Sequence, residues 1–349
     1  MDLTHPEERP LVTFLLFAYN QEKYIKEAVE GALTQTYEPL EIILSDDGST
    51  DRTFEIMQEL AADYTGPHRI VLNRSSRNLG LAAHINHVMT LVNGELVVAA
   101  AGDDVSLPDR TAELVQKWLS LGKISGSIYS HFRTIDADGF RQAPLARDKE
   151  RTVGLRDRQL AMLNNFSGIS GCTHAWTKDL FNCFGPIDDR IQHEDVTIPL
   201  RALLKGAIIF IPLDLVDYRL TQGSITRKTF NSFQERIQKM ERYWTGRLAL
   251  FAQFDKDVEV ARASGWANAD DLDWLSGEVA KGKSCAQQQC QLYAGSAKER
   301  LLTAINPIVS LPIKERIKWL VIALMPWCYG NPLLMNWLCK LKYRVARIY

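Results

Sequence analysis

Leu40-Glu-Ile-Ile-Leu-Ser-Asp-Asp-Gly-Ser-Thr-Asp51 decides the fold of this chain. An apolar run of strand length stops at two adjacent carboxylates, followed by turn residues and a third acid. Acids at the C-terminal end of a buried parallel strand lie where open α/β sheets bind ligands. The arrangement recurs at Glu95-Leu-Val-Val-Ala-Ala-Ala-Gly-Asp-Asp104.

The intervals around these two stretches supply the architecture. Apolar runs start near residues 11, 40, 69 and 94: Leu11–Ala18, Leu40–Leu44, Arg69–Leu72 and Leu96–Ala100. Each gap is long enough for a helix and carries helically spaced apolar residues. They are Tyr24, Ile25, Ala28, Val29, Ala32 and Leu33 in the first, Phe54, Ile56, Met57 and Leu60 in the second, and Leu81, Ile85, Val88, Met89 and Val92 in the third. Strand-helix alternation at this spacing predicts a parallel sheet with crossover helices. A helix is expected after Pro108, ending near Gly122. Strands are expected over 127–135, 207–211 and 215–219, a loop over 140–154 and a helix over 194–205. Beyond Thr226 the strand signal ends and residues 229–305 read as helical, with Ile237, Met240, Tyr243, Trp244, Leu248 and Phe251 on one face.

Composition narrows the class. The 349 residues are 46% hydrophobic and 24% charged, with a formal net charge of -1. That balance opposes disorder and leaves no global basic footprint for nucleic acid. The six cysteines are scattered, without zinc spacing, and read as reduced thiols. The N-terminus, Met1 to Pro10, lacks the basic and apolar regions of a signal peptide.

Local chemistry explains each acid pair separately. Asp-Gly-Ser-Thr-Asp is good turn and capping sequence, and Ser106-Leu-Pro-Asp109 opens a helix. Two such pairs in one half-chain point further, to a nucleotide and a hard divalent cation, which takes one or two carboxylates plus phosphate oxygens. His84 and His87 stand three apart on a helix with no third ligand in view and read as structural. Asp270-Asp271 reads as a helix start.

Several stretches in order resemble family-2 glycosyltransferases of the GT-A fold. They are Val12–Asn20, Ile25–Tyr37, Glu41–Asp51, Asn78-Leu-Gly80, Gly102-Asp-Asp104 with Pro108, and His193-Glu-Asp195 with Arg201 and Gly206. The resemblance covers about residues 11–226. It implies an α/β, Rossmann-like, mostly parallel sheet with a C-terminal helical extension. The implied catalytic domain is 1–228, followed by a helical extension at 229–305 and an apolar, basic segment at 306–349. It implies that Ala18, Tyr19 and Asn20 line a nucleotide pocket with Asp46, Asn78 and Gly80, and that Asp47 accepts a hydrogen bond from uracil. Asp103 and Asp104 match metal-site acids, Asp104 being the better ligand for Mg²⁺ or Mn²⁺. Asp195 matches the general base, with Glu194 next in line, and Arg219 falls near the diphosphate. The implied reaction is inverting transfer from a UDP-sugar to a glycan or lipid-linked acceptor, in bacterial surface polysaccharide synthesis.

Two positions depart from the family pattern. Ala101 stands where many members carry a further acid, and Thr221 where many carry His. A degenerate, scaffold-like or sugar-nucleotide-binding protein is the alternative that Ala101 supports. A dinucleotide oxidoreductase is disfavoured because the chain has no GxG. A nucleotidyltransferase is disfavoured because Ala18-Tyr-Asn-Gln-Glu22 is neither basic nor glycine-rich.

Trp319 to Cys339 contains no charged residue, yet holds Pro326, Gly330, Asn331, Pro332 and Asn336. Its aromatic residues and flanking Lys and Arg predict a surface anchor rather than a straight spanning helix, with a buried helical hairpin packed on the catalytic domain as the alternative. Residues 300–349 are therefore expected to hold a cytoplasmic protein peripherally on the membrane.

Overall fold

The structure, a computed structural model, describes residues 9–142, 155–164, 168–220, 233–295 and Leu320. The loop expected over 140–154, the Thr221 position, the boundary near 226–230 and the C-terminal anchor lie largely or wholly outside the described residues.

Among the described residues eight strands form one sheet: β1 (Val12–Ala18), β2 (Leu40–Asp46), β3 (Arg69–Arg74), β4 (Leu96–Ala101), β5 (Val105–Ser106), β6 (Gly126–Ile135), β7 (His174–Thr177) and β8 (Ala207–Arg219). Their order is β3-β2-β1-β4-β7-β6-β8-β5. The first four run parallel and align their ends, with Ala18 opposite Asp46 and Phe17 opposite Ala101. Helices α1 (Ile25–Leu33), α2 (Thr53–Ala62) and α3 (Leu81–Met89) fill the three gaps. The expected strands are therefore neighbours, and the acid pairs fall at the C-terminal ends of the strands beside β1, Asp46 as the last residue of β2 and Asp103–Asp104 just beyond β4.

The apolar runs behave as strands because they are buried on both faces. Phe14, Leu16, Ile42, Leu44 and Val98 pack against Ile25, Ala28, Val29 and Ala32 of α1. Leu114, Val115 and Trp118 of α4 (Arg110–Ser120) join the same cluster. The alternate residues Leu15, Ile43 and Val97 are equally buried. β3 is one edge, where the exposed Arg69 and Arg74 flank the exposed Leu72 and give it polar cover.

The second half of the sheet is less regular. β7 pairs antiparallel with β4 and β6, a reversal that the spacing does not signal because β7 has only four residues. The two pieces expected at 207–219 are one strand, β8, whose register against β6 shifts around His131. Helices α5 (Leu155–Leu163), α6 (Asp179–Phe184) and α7 (Glu194–Lys205) belong to this half.

Among the described residues the helical tail forms α8 (Phe233–Ser264) and α9 (Ala269–Ala294). They break at Gly265, whose φ of 66° suits glycine. Asp270 and Asp271 sit in the first turn of α9, as expected. The chain forms two compact units: one of residues 1–224 and 249–281, the other of residues 225–248 and 282–349. In the second unit Ile237, Met240, Trp244 and Leu320 pack on Leu292 and Tyr293. Among the described residues no helix is long and apolar enough to cross a membrane.

At the end of the sheet away from the acid pairs, the fully buried Glu41 ties strands together. Its carboxylate accepts hydrogen bonds from Thr13 Oγ1 (2.9 Å), Asn93 N (3.1 Å), Asn93 Nδ2 (2.8 Å) and Arg69 NH1 (3.1 Å). Removing it leaves the buried Thr13 hydroxyl and the Asn93 donors short of an acceptor. Glu41→Ala is therefore expected to lower unfolding stability by about 2 kcal/mol, read as a shifted urea midpoint. Ligand binding by the folded fraction should not change.

Candidate active site

β1 ends between the two acid pairs and holds both loops. The Ala18 carbonyl accepts from Asp47 N (2.9 Å) and the Phe17 carbonyl from Gly102 N (2.8 Å). Gly102 has to be glycine, because a Cβ there would meet Gln21 Oε1 and lie 2.9 Å from the Ala18 Cβ. The turn after β1 is sewn to the turn after β2. Asn20, with φ of 52°, donates its N–H to Ser49 Oγ (2.8 Å) and accepts from Thr50 N (2.9 Å) on Oδ1. Gln21 N donates to Thr53 Oγ1 (2.7 Å) and Glu22 N to Asp51 (3.1 Å). Tyr19 is 43% exposed at this mouth.

The first acid pair divides its labour. Asp46 is fully buried and closes its own turn, accepting from the Ser49 hydroxyl and from Ser49 N at 3.0 Å, with Arg74 Nε 3.4 Å away. Asp47 reaches across to the Asn78-Leu79-Gly80 loop. Its two oxygens accept from Leu79 N (2.9 Å) and Gly80 N (3.0 Å), just ahead of α3. Asn78 Oδ1 also accepts from Gly80 N. The two stretches thus form one structural unit. Gly48, at φ of 72°, lets the Arg77 backbone approach, since a Cβ there would sit 2.5 Å from the Arg77 carbonyl carbon. Beneath them His84 bonds Ser45 Oγ at 2.6 Å and His87 faces Asn73 Oδ1 at 3.4 Å.

The second pair is the more strained electrostatically. Asp104 is buried, and its Oδ1 accepts from Arg219 N at 2.8 Å. Burial and the neighbouring Asp103 carboxylate push the Asp104 acid up to about 7, against the opposing help of the Arg219 N–H, the Cys172 thiol and Arg110. Burial also raises Asp103, which Gln21 and Arg219 partly offset. Arg110 lies fully buried below, donating to Ser106 Oγ (2.8 Å) and the Ala99 carbonyl (2.6 Å).

Arg219 is committed to the protein. Its guanidinium donates to the Asp103 carbonyl (2.9 Å), Glu27 Oε2 (2.7 Å) and the Asp136 carbonyl (3.3 Å), and it stacks on Tyr24 at 4.9 Å. The residue expected near a diphosphate is buried and holds the acid pair in place.

A third pair opens α7. Burial, and for Glu194 the charge of Asp195 as well, raise Glu194 to about 8 and Asp195 to about 6. A single 3-10 turn, Gly171–Thr173, joins this pair to the second. The Cys172 thiol lies beside Asp104 and each acts on the other's titration, while Gly171 lies against Glu194, whose Oε1 would collide with a Cβ at that position. Ala18, Asp47, Asp104 and Glu194 are thus linked by direct contacts through β1 and this turn.

Glu27, Cys172, Gly171, Gln21 and Arg110 carry no local sequence signal. Their roles arise from partners far along the chain, as with Glu27 and Arg219. Among the described residues no three His, Cys, Asp or Glu side chains converge on a metal position. The paired, mutually repelling Asp103 and Asp104 do fit a hard cation that draws its other oxygens from a phosphate ligand.

A profile described as glycosyl transferase family 2 matches residues 13–184. EpsE of Bacillus subtilis is 35% identical over 106 residues, 30% of this chain and 37% of that protein. An uncharacterised protein of Mycobacterium tuberculosis is 38% identical over 212 residues, 60% of this chain and 58% of that protein. Chondroitin synthase of Escherichia coli is 37% identical over 133 residues, 37% of this chain and 18% of that protein. In each case the chain spans less than two thirds of the relative. TarS of S. aureus in complex with UDP-GlcNAc superposes with a TM-score of 0.55 at 16% identity, covering 94% of this chain and 83% of that one. The mannosyltransferase PcManGT from Pyrobaculum calidifontis, in complex with GDP-Man and Mn²⁺, gives 0.50 at 18%, covering 93% and 89%. At these identities the likeness is one of fold.

The raised Asp104 sets a pH dependence. Between the ordinary carboxylate range and about pH 7 the folded protein holds a proton that the unfolded chain has lost, so stability falls as pH rises. Asp104→Asn keeps the acceptor for Arg219 N and removes the charge. In chelator at about pH 8.5 it should melt a few degrees above the natural protein, and at about pH 4, where the acid is neutral in the folded state, the gap should close. Thermal melts at the two pH values check this; equal melting at both contradicts it.

Proposed function

Residues 13–184 belong to glycosyl transferase family 2, and on that premise we propose that the chain transfers a sugar, with inversion, from a UDP-sugar to a hydroxyl of a glycan or lipid-linked acceptor. The observation that carries the reading is the single turn, Gly171–Thr173, that couples the Asp103–Asp104 pair to the Glu194–Asp195 pair. Transfer needs charge control at the leaving diphosphate and a base at the attacking hydroxyl, and these are two acid sites in contact through one turn.

Asp104, with Asp103, would hold Mg²⁺ or Mn²⁺ together with the diphosphate. When bound, such a cation offsets the negative charge that develops on the leaving group. Tyr19 and the backbone around Ala18 and Asn20 offer a wall for the nucleoside. Asp47 keeps lone pairs beyond its two backbone bonds, enough to accept from a uracil N–H. Arg219 acts on the site by fixing Asp104 through its own N–H. The complex of TarS with UDP-GlcNAc and the polysaccharide synthase among the relatives support the donor and acceptor classes.

Asp195 is the proposed general base. It takes the acceptor proton as the hydroxyl oxygen attacks the anomeric carbon, and the bond from that carbon to the diphosphate oxygen breaks on the opposite face. An acid raised to about 6 is deprotonated at neutral pH, yet more basic than an ordinary carboxylate. Glu194, raised to about 8, stays protonated beside it, so the two acids need not carry adjacent charges.

Turnover should therefore rise with pH through about 6 and then level off. Asp195→Asn should cut turnover by roughly 10²-fold or more and leave nucleotide-sugar binding nearly intact. UDP release across a panel of UDP-sugars, measured against pH with Mn²⁺ present, checks both. Full activity in the variant moves the base elsewhere.

A further inference from the structure

Asp195 needs more than its own helix to hold it. Two acids stand side by side at a helix start, partly out of water, and the Asp195 carboxylate gains by moving toward solvent. The chain leading to them, residues 185–193, has no regular structure of its own. Something else fixes it.

The fixing groups come from two other elements. On one side Asn86 of α3 donates to the Ile187 carbonyl (2.6 Å) and accepts from Ile187 N (2.8 Å). On the other, Gln253 of α8 accepts from Asp188 N at 3.1 Å and donates to Asp257 Oδ1 at 2.9 Å. Asp257 forms a fully buried, two-pronged ion pair with Arg201 of α7, at 2.9 and 3.2 Å. Arg201 completes the circuit by donating to the Gly185 carbonyl (2.8 Å) and, more weakly, the Pro186 carbonyl (3.4 Å). Its guanidinium lies over Phe181 and Phe184. The network therefore grips the base-bearing helix, and the loop that enters it, from α8.

A buried ion pair is poor evidence of stabilisation in itself, because desolvation offsets most of the attraction. What it supplies is geometry: its hydrogen bonds are satisfied only in one arrangement of α7, α8 and the loop. A displacement of about 1 Å in a reacting group can cost as much as 10²-fold in rate. We propose that Gln253 and Asp257 of α8 are positioning residues for Asp195, so that residues 249–264 of the helical tail are part of the transfer machinery. This rests on the reading of Asp195 as the base.

Gln253→Met in the full chain keeps the side-chain volume and removes both hydrogen bonds. Two readouts apply, with Asp195→Asn run alongside. In hydrogen exchange by mass spectrometry, peptides from 185–196 should exchange at least about 10-fold faster in Gln253→Met, while β1 and β2 peptides match the natural protein. With the UDP-sugar giving the fastest UDP release, kcat should fall about 10-fold with donor KM within about two-fold. Asp257→Asn should reproduce the pattern with a larger drop. A purely structural role would instead lower the melting temperature and leave kcat of the folded enzyme unchanged. Unchanged exchange over 185–196, or unchanged kcat in Gln253→Met, overturns the proposal. Full activity in Asp195→Asn overturns the base assignment and the positioning role with it. No UDP release from any donor contradicts the UDP-sugar reading, and hydrogen exchange still decides whether the brace exists.

Discussion

Paired acids drawn partly out of water are the constraint around which this domain is arranged. Asp103 and Asp104 lie at one strand mouth, and Glu194 and Asp195 open the helix joined to it. Burial raises all four acids above the ordinary carboxylate range, to about 7, 8 and 6 for Asp104, Glu194 and Asp195. A protein built only for stability would place apolar groups there. Here buried arginines serve the site instead: Arg110 beneath Asp104, Arg219 across Asp103 and Asp104, and Arg201 paired with Asp257 and bound to the loop that leads to α7. Arg201 and Arg219 direct their donors into backbone carbonyls and carboxylates, and Arg110 donates to the Ala99 carbonyl and the Ser106 hydroxyl.

Glycine at points of close approach makes the arrangement fit. Gly102 brings the second acid loop against the end of β1, Gly48 admits the backbone of the 77–80 loop, and Gly171 leaves room for Glu194. A side chain at any of them would crowd the neighbouring group that approaches there. The parallel half of the sheet supplies the rigid frame, because β1 pairs with β2 over its whole length and with β4 over all but its last residue.

The parallel half was legible because its signals are local. Leu40–Leu44 and Leu96–Ala100 are apolar runs ending in acids, and the helices between them show 3.6-residue periodicity. The short β7 and the helix after it were not, since four residues carry no period and reversal of direction is decided by packing. The same divide runs through the site. Asp47, Asp104 and Asp195 stand in motifs that a reader can quote. The roles of Arg219 and Asp257 depend on partners such as Glu27 and Arg201, far away in sequence, and no spacing rule connects them. Chemistry that must occupy a strand end is visible in one dimension; the groups that hold it steady become visible only in three.

The claim on which everything else rests is that the cleft joining the two acid pairs binds a nucleoside diphosphate with a divalent cation. Crystals soaked with UDP and Mn²⁺, with data collected for anomalous scattering from manganese, test it directly. The account predicts one strong peak within direct bonding distance of the Asp104 carboxylate, bridged to the diphosphate, with the uridine ring beside Tyr19 and Asp47. A manganese peak away from Asp103 and Asp104, or UDP bound outside the cleft at the ends of β1, β2 and β4, would contradict it.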